Sequence, residues 1–318
     1  MADWWDRVDV SSWESFSDEV QGSHEVQWLQ HEGVRWLHKY TTTPTNGVEQ
    51  GEDWAEVVST RVAVDLGVPC AQTALALRHG RRGSISRSVR PSDYDLYDGA
   101  LELQWAAAPG YVAHAEGAPA VDPARPGIRR PGHTIANLRA VLSGCAAPLG
   151  FEGPDGFNGY DVFVGYLLLD AMIANQDRHE QNWAILRPRL ESLGTPTLSP
   201  SFDHASSLGF NLHDPLRQRI LEDGRLEVWA RKGVANRFEH VKGAPLTLVD
   251  HAAAALSVCS PPVVAWWQGR VVGLDMAGTF GALAAHSVDS MSHPAVRFAI
   301  ELLTLNHERL KDAIARYS

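Results

Sequence analysis

The hydrophobic pattern of the first hundred residues alternates between strand-like and helix-like spacing. Apolar and polar positions alternate between Glu25 and Lys39 on either side of Gly33, which predicts a β-hairpin. Residues 53–66 carry apolar side chains at a helical spacing, with Asp53 as the predicted N-cap and Gly67 as the predicted C-cap. Two more strands are predicted at 73–77 and 84–89. This part of the chain therefore predicts a small β-rich unit with one helix.

The second part of the chain is mostly helical in pattern. Residues 107–133 are dense in Ala, Pro and Gly, a composition that sustains neither periodicity and predicts a connector or an insertion. A short helix is predicted at about 134–142 and a strongly apolar helix at about 160–174. The other predicted elements are two short strands at 183–186 and 198–202 and a helical region at 246–317.

Length and composition fit a folded protein of two lobes. The chain has 318 residues, and single hydrophobic cores stop growing at roughly 250–300 residues. Apolar residues make up 44% of the chain and charged residues 21%, enough to build a core and cover it. We predict an N-lobe at 1–104 and a C-lobe at 105–318, with the linker or insertion at about 105–133.

Charge and cysteine content exclude several classes of protein. The net charge of −10 argues against nucleic-acid binding, which needs clustered Lys and Arg to neutralise phosphates. Cys70, Cys145 and Cys259 are widely and irregularly spaced, so neither a disulfide framework nor a zinc site is predicted. No apolar run reaches the ~20 residues of a membrane span. We therefore expect a cytoplasmic protein that binds neither nucleic acid nor membrane.

Candidate chemistry concentrates in two loops that follow buried elements. Asp177 and Asn182 lie in the loop after the apolar helix, and Asp203 lies after the next predicted hairpin. Phosphoryl transfer needs metal ligands, a group that orients the attacking hydroxyl, and positive charge on the phosphates. Oxygen ligands of this kind suit Mg²⁺. The pattern therefore points to a metal-assisted phosphotransferase.

The loop Asp177-Arg178-His179-x-x-Asn182, followed by Phe202-Asp203-His204, resembles the HipA-like serine/threonine kinases. The resemblance implies a two-lobed protein-kinase-like fold of the α+β class, with a small β-rich N-lobe and a larger helical C-lobe. It also implies that Asp177 accepts the proton of the substrate hydroxyl and that Asn182 and Asp203 bind the metal. The early position of the phosphate loop resembles the short, standalone form of the family, without the extra N-terminal subdomain.

The same resemblance assigns nucleotide-binding roles in the N-terminal half. Gly22 and Ser23 match the phosphate-covering loop, and Lys39 matches the lysine that holds the α and β phosphates of ATP. Glu56 is then expected to pair with Lys39. Residues 84–89 and the acidic stretch up to Glu102 resemble the run into the adenine-binding hinge.

Two groups of residues near the loop have supporting interpretations. Arg178 and His179 help to identify the family, and His179 is expected to be a hydrogen-bonding post rather than a catalytic residue. A basic cluster is interpreted as a solvated face, with contact to an acidic substrate as the alternative. The cluster consists of Arg231, Lys232, Arg237 and Lys242.

The function implied is an ATP- and Mg²⁺-dependent kinase that phosphorylates a Ser or Thr hydroxyl of a protein or peptide. One alternative is a small-molecule kinase of the aminoglycoside-phosphotransferase type, although the residues around Asp177 differ from its usual loop. Another alternative is a nucleotide-binding pseudokinase that acts as a regulator. An antitoxin or a pathway protein is a possible partner in either case, and the sequence leaves the substrate and the physiological role open.

Overall fold

The computed structural model describes residues 5–21, 24–45, 47–114, 121–190, 194–285 and 288–317. The N-terminal part forms a six-stranded sheet in the order β1-β5-β6-β4-β3-β2, in which only the β1–β5 pair is parallel. The strands are β1 (Val8–Asp9), β2 (Glu14–Gln21), β3 (His24–His31), β4 (Val34–Tyr40), β5 (Thr73–Arg78) and β6 (Arg81–Arg87). The predicted hairpin is the β3–β4 pair, and its turn has left-handed backbone at Glu32 and Gly33, as two-residue hairpins favour.

One helix, α1 (Glu52–Leu66), connects β4 to β5 and packs against the sheet. The prediction that Asp53 is its N-cap is wrong, because Gly51 occupies that position. Asp53 lies instead in the first turn and is buried, where its carboxylate pairs with Arg7 at 2.9 Å. Gly67 ends the helix with left-handed backbone, as predicted.

The chain leaves the large sheet between Arg87 and Tyr94. Strand β7 (Tyr94–Asp98) pairs with β9 (Ala184–Pro188), and β9 pairs in turn with β10 (Thr197–Leu198). The predicted lobe boundary at about 104 stays a prediction, but the change of sheet comes about ten residues earlier. Between these strands lie α2 (Gly99–Trp105), β8 (Ile128–Arg129), α3 (Ile135–Leu142) and α4 (Gly159–Ile173).

The rest of the C-terminal part is helical, apart from one short strand. Its elements are α5 (Asp214–Glu222), α6 (Leu226–Ala230), β11 (His240–Val241), α7 (Leu248–Ser257), α8 (Pro261–Val272), α9 (Ala277–Ala284) and α10 (His293–Ile314). Strand β11 pairs with β8 in a two-stranded ladder. The helices predicted at 134–142, at 160–174 and beyond 246 are thereby confirmed.

Helix α4 is the centre of the core, and its apolar sequence is buried on nearly every side. A capping box between Asn158 and Asp161 starts it. Helix α8 crosses α4 at Gly165. A Cβ at this position would lie 2.2 Å from the Trp267 ring, so the crossing leaves no room for a larger residue. The helix therefore has neighbours on all faces, and the loop that follows it is held against a rigid body. Among the described residues, no helix is both long and apolar enough to cross a membrane.

Two buried histidines sit in surroundings that disfavour their charged form. Neither ring nitrogen of His38, on β4, has a hydrogen-bond partner among the described residues. Burial, and then the charges of Arg78 and Arg81, lower the pKa of His38 to about 4. Burial likewise lowers the pKa of His251, on α7, to about 3. Both rings are therefore neutral in the folded protein at pH 7.

We expect the free energy of unfolding to fall as the pH drops below the ordinary histidine pKa of 6.5 towards 4. Between these pH values, His38 and His251 bind protons in the unfolded chain but not in the folded protein. Each group therefore lowers the free energy of unfolding by about 1.4 kcal/mol per pH unit. Urea unfolding at pH 7.5 and pH 5.0 measures the effect. His38→Leu should reduce the difference between the two pH values by about 2 kcal/mol.

The matched control for His38 is His213→Gln, which changes a histidine on the exposed surface. This substitution should leave the pH dependence as it is, because an exposed ring is solvated in both states. An unchanged pH dependence in His38→Leu would show that burial of this ring does not control the loss of stability.

Candidate active site

The loop after α4 is closed by its own polar side chains. Helix α4 ends at Ile173, and the left-handed backbone of its C-cap, Ala174, turns the chain into the loop. The side-chain oxygen of Asn175 accepts a hydrogen bond from the Asp177 backbone N–H at 3.0 Å. The Asn182 side-chain nitrogen donates to the Asp177 carbonyl at 2.7 Å. These bonds bring Asp177 and Asn182 together. The side-chain oxygen of Asn182, which can act as an acceptor, takes no part in them.

Arg178 ties this loop to the helix and to the second functional loop. Its guanidinium donates two hydrogen bonds to Asp170 of α4, both at 2.8 Å, and the two side chains are each 2% exposed. It also donates to the carbonyls of Asn182 at 2.7 Å and Phe202 at 3.3 Å. Burial alone would lower the pKa of Arg178, but the Asp170 carboxylate raises it above its ordinary value. Arg178 is therefore charged, and its role is to hold the two loops against helix α4.

Asp203 lies in the second loop with a strained backbone and a cationic partner. Its φ of 61° is in the left-handed region, which non-glycine residues enter mainly at functional or sharply turned positions. One carboxylate oxygen accepts a hydrogen bond from Lys39 Nζ at 2.7 Å. Burial alone would raise the pKa of Asp203, but the Lys39 charge lowers it below the ordinary range. The pair joins β4 to the C-terminal part, with both side chains about one-third exposed.

Glu56, on α1, makes a different contact from the one predicted. Lys39 forms its ion pair with Asp203, whereas Glu56 accepts a hydrogen bond from the His204 backbone N–H at 2.7 Å. The predicted Lys39–Glu56 pair is therefore not the contact in this structure. Glu56 still acts on Lys39 at longer range: burial lowers the pKa of Lys39, but Asp203 and then Glu56 raise it. The direct task of Glu56 is to hold the loop that carries Asp203.

The supporting residues fall in three places. His179 is half-buried, and its Nδ1 lies 2.8 Å from the Gln181 side-chain oxygen and 3.2 Å from the Gln181 backbone nitrogen. Its role as a hydrogen-bonding post stays a prediction. Residues 84–89 cover the end of β6 and the start of the crossing between the sheets. Gly22 and Ser23, the predicted phosphate loop, lie outside the described residues.

Two residues at this site were missed from the sequence. Asp170 lies within the predicted apolar helix and was given no role, yet it forms the buried ion pair with Arg178. Arg237 was assigned to a solvated basic face, but its Nη2 lies 2.6 Å from Asp177 Oδ1. The other members of that cluster, Arg231, Lys232 and Lys242, are exposed as expected. A local motif signals neither contact, although an acid inside an apolar helix is a usable warning sign.

Comparisons with known proteins bear on the fold. No family model and no curated protein matches the sequence. A crystal structure of the Helicobacter pylori proinflammatory kinase CtkA matches with a TM-score of 0.71 at 14% identity, over 98% of each chain. The fold is that of a kinase. The two-lobed kinase-like fold predicted from the HipA-like loop is confirmed as a likeness of fold.

Two further solved structures match more loosely. HipA of Shewanella oneidensis MR-1, from a toxin–antitoxin complex with HipB and operator DNA, has a TM-score of 0.46 at 12% identity. That match covers 96% of this chain and 66% of HipA. A MAP kinase of Leishmania major has a TM-score of 0.25 at 12% identity, with 96% and 82% covered. At such low TM-scores neither match adds to the argument.

The oxygen donors of the two loops suit a hard divalent cation that is also bound by other ligands. The described residues contain no group of three or more His, Cys, Asp and Glu side chains that would hold a metal on their own. Asp203 offers a carboxylate and Asn182 an amide oxygen, and Mg²⁺ prefers one or two such ligands together with phosphate oxygens and water. Lys39 beside Asp203 adds the positive charge that phosphates need. The residues therefore fit Mg²⁺ together with phosphate oxygens.

We expect Asp170→Asn to lower the free energy of unfolding by about 3–5 kcal/mol, because it leaves the Arg178 charge buried without its partner. Urea unfolding measures the loss. Glu227→Gln is the control, since it breaks the exposed pair with Arg231, which is 2.7 Å long, and should cost less than about 1 kcal/mol. Equal losses in the two variants would contradict the structural role given to the buried pair.

Proposed function

We propose that this protein is an ATP- and Mg²⁺-dependent kinase that phosphorylates a Ser or Thr hydroxyl of a protein or peptide. The observation that carries the proposal is the Lys39–Asp203 pair, formed by residues 164 positions apart in sequence. It joins the sheet of the N-terminal part to the loop that follows Asp177 and Asn182. Burial lowers the pKa of Lys39, but Asp203, Glu56 and, to a smaller extent, Asp177 raise it above its ordinary value. These contacts support a site in which a base, two metal ligands and a phosphate-binding cation act together.

Each residue has a task in the proposed reaction. Asp177 orients the acceptor hydroxyl and takes its proton as the hydroxyl oxygen bonds to the γ-phosphorus of ATP, while the bond from that phosphorus to the β–γ bridging oxygen breaks and ADP leaves. Asn182 and Asp203 would hold Mg²⁺, which neutralises charge on the transferring phosphoryl group when bound. Lys39 is expected to exchange Asp203 for the α and β phosphates. Glu56 and Arg178 position the two loops and do not touch the reactants.

The hydrogen bonds of the loop are consistent with these separate roles. Asn175 and Asn182 hold the backbone of Asp177, so that neither occupies its carboxylate. Preorganised side chains of this kind avoid reorganisation during the reaction. The acceptor is proposed to be a protein or peptide because the HipA-like loop resembles kinases of that kind. An antitoxin-like partner and a cytoplasmic location belong to the same proposal.

The test is transfer of radiolabelled phosphate from ATP by the purified protein, to itself or to a Ser/Thr peptide library. We expect Asp177→Asn to reduce transfer by roughly 10²–10⁴-fold, the range of general acid–base catalysis. It should keep Mg-ATP binding, because Lys39, Asn182 and Asp203 remain. Unchanged transfer by Asp177→Asn would remove the base assignment.

Thermal shift with Mg-ATP separates the proposal from its alternatives. A ligand at 100 times its Kd stabilises the fold by about 2.7 kcal/mol, so binding raises the melting temperature. Asp203→Asn and Lys39→Met should lose this rise, whereas the exposed Lys242→Gln should retain it. A rise without phosphate transfer would indicate a pseudokinase. Transfer to aminoglycoside hydroxyls but not to peptides would indicate a small-molecule kinase.

A further inference from the structure

The proposed base is covered by a cation that the proposed reaction does not use. Arg237 Nη2 lies 2.6 Å from Asp177 Oδ1, and the two side chains are 35% and 29% exposed. A general base must come within hydrogen-bond distance of the hydroxyl it deprotonates. While the pair persists, one carboxylate oxygen of Asp177 is occupied. The acceptor must therefore approach beside Arg237 or displace it.

Arg237 is held in this place by buried neighbours. The ring of His133 is fully buried, and its Nδ1–H donates to the Arg237 carbonyl at 2.7 Å. The same ring stacks on Phe238 at 4.4 Å, and its Nε2 accepts from the Trp183 indole at 3.3 Å. Trp183 directly follows Asn182. The backbone of Arg237 is thus anchored to the loop of the proposed base, while its side chain stays open to solvent.

A second guanidinium lies nearby, on the neighbouring loop. Arg130 directly follows β8, which pairs with β11 just beyond Arg237. Its Nη1 lies 3.8 Å from Glu180, a buried carboxylate without a hydrogen-bond partner among the described residues. Burial lowers the pKa of Arg130, Glu180 raises it, and the charge of Arg237 lowers it again. The charge of Arg237 therefore acts unfavourably on that of Arg130.

The charges around Asp177 indicate which charge a bound acceptor would need to carry. Glu180 compensates Arg130 from the buried side, and Asp177 compensates Arg237. When Asp177 takes the proton of an acceptor hydroxyl, its carboxylate becomes neutral and Arg237 loses its counter-charge beside Arg130. A part-exposed ion pair is weak and easily exchanged, and a guanidinium binds a carboxylate through two parallel hydrogen bonds. An anion on the acceptor would restore the balance.

We infer that Arg237, with Arg130 behind it, is the recognition site for an acidic side chain next to the acceptor hydroxyl, so that the substrate is an acidic protein segment. The inference rests on the proposed kinase function. Without substrate, Arg237 covers Asp177; with substrate, it moves to the acceptor's carboxylate and uncovers the base. Since the hydroxyl and the acid contact adjacent groups, and a chain extends about 3.3–3.6 Å per residue, the acid lies one or two residues from the acceptor.

The test compares two serine peptides, one with Glu at the first and second positions on either side of the serine and one with Gln at those positions. Fluorescence anisotropy gives binding to the whole protein with Mg-ATP, and phosphate transfer gives kcat/KM. We expect the Glu peptide to be preferred by about tenfold in both, the order of one charge-assisted hydrogen bond. The preference should shrink as salt is raised. In Arg237→Gln it should fall to nearly onefold, and Arg237→Lys should retain part of it.

Arg231→Gln is the matched control, because it removes the same charge from the same segment at an exposed position paired with Glu227. It should keep the full preference for the Glu peptide. Equal binding of the two peptides by the unaltered protein, or a preference that survives Arg237→Gln, overturns the inference. Phosphate transfer without a preference for the Glu peptide would overturn the inference and leave the kinase proposal intact. Binding that depends on Arg237 without any transfer overturns the kinase proposal and supports only an acidic-peptide site.

Discussion

The ion pair between Asp170 and Arg178 is the interaction on which the rest of the site depends. Taking two charges out of water is costly, and the cost is recovered only if the pair is well aligned and the remaining donors are satisfied. Arg178 meets this condition through the carbonyls of Asn182 and Phe202. The Arg178 side chain therefore fixes the end of α4, the loop of Asp177 and the residue before Asp203. Moving any of these would leave a buried charge without its partner.

A second set of contacts carries this order into the N-terminal part. The bond from the His204 backbone to Glu56 and the Lys39–Asp203 pair both cross between the two parts of the chain. Beyond the end of α1, the Ser201 backbone N–H also donates to the Pro69 carbonyl and the Ala71 backbone N–H donates to the Ser201 carbonyl, both at 2.8 Å. The strained backbone of Asp203 is thus held from both sides, which is the condition under which a left-handed non-glycine residue persists. Rotation of α1 would loosen the loop of Asp203 before it affected that of Asp177.

The sequence predicted what is local and missed what depends on distance. Asp177 and Asn182 lie within one loop, and their spacing is a pattern that can be recognised without coordinates. The partner of Asp177, Arg237, comes sixty positions later and belongs to no periodic element, so it resembled any surface arginine. The two-residue strands β1 and β8 are too short to show an alternation, and each exists only because a distant strand supplies its partner. Glu56 was placed on the correct helix, but only the packing of α1 decides which donor its carboxylate meets.

Charge balance connects these observations to the proposed chemistry. Both carboxylates assigned to the reaction, Asp177 and Asp203, are paired with a cation in the structure, Arg237 and Lys39 respectively. Each cation comes from a different part of the chain, and both pairs are partly exposed, so that each can exchange its partner at little cost. In the proposed reaction the nucleotide supplies new anions for Lys39, and Asp203 is then free for the metal. By the same logic Arg237 needs an anion from the acceptor, so the two substrates would enter by parallel exchanges that keep the site close to neutral.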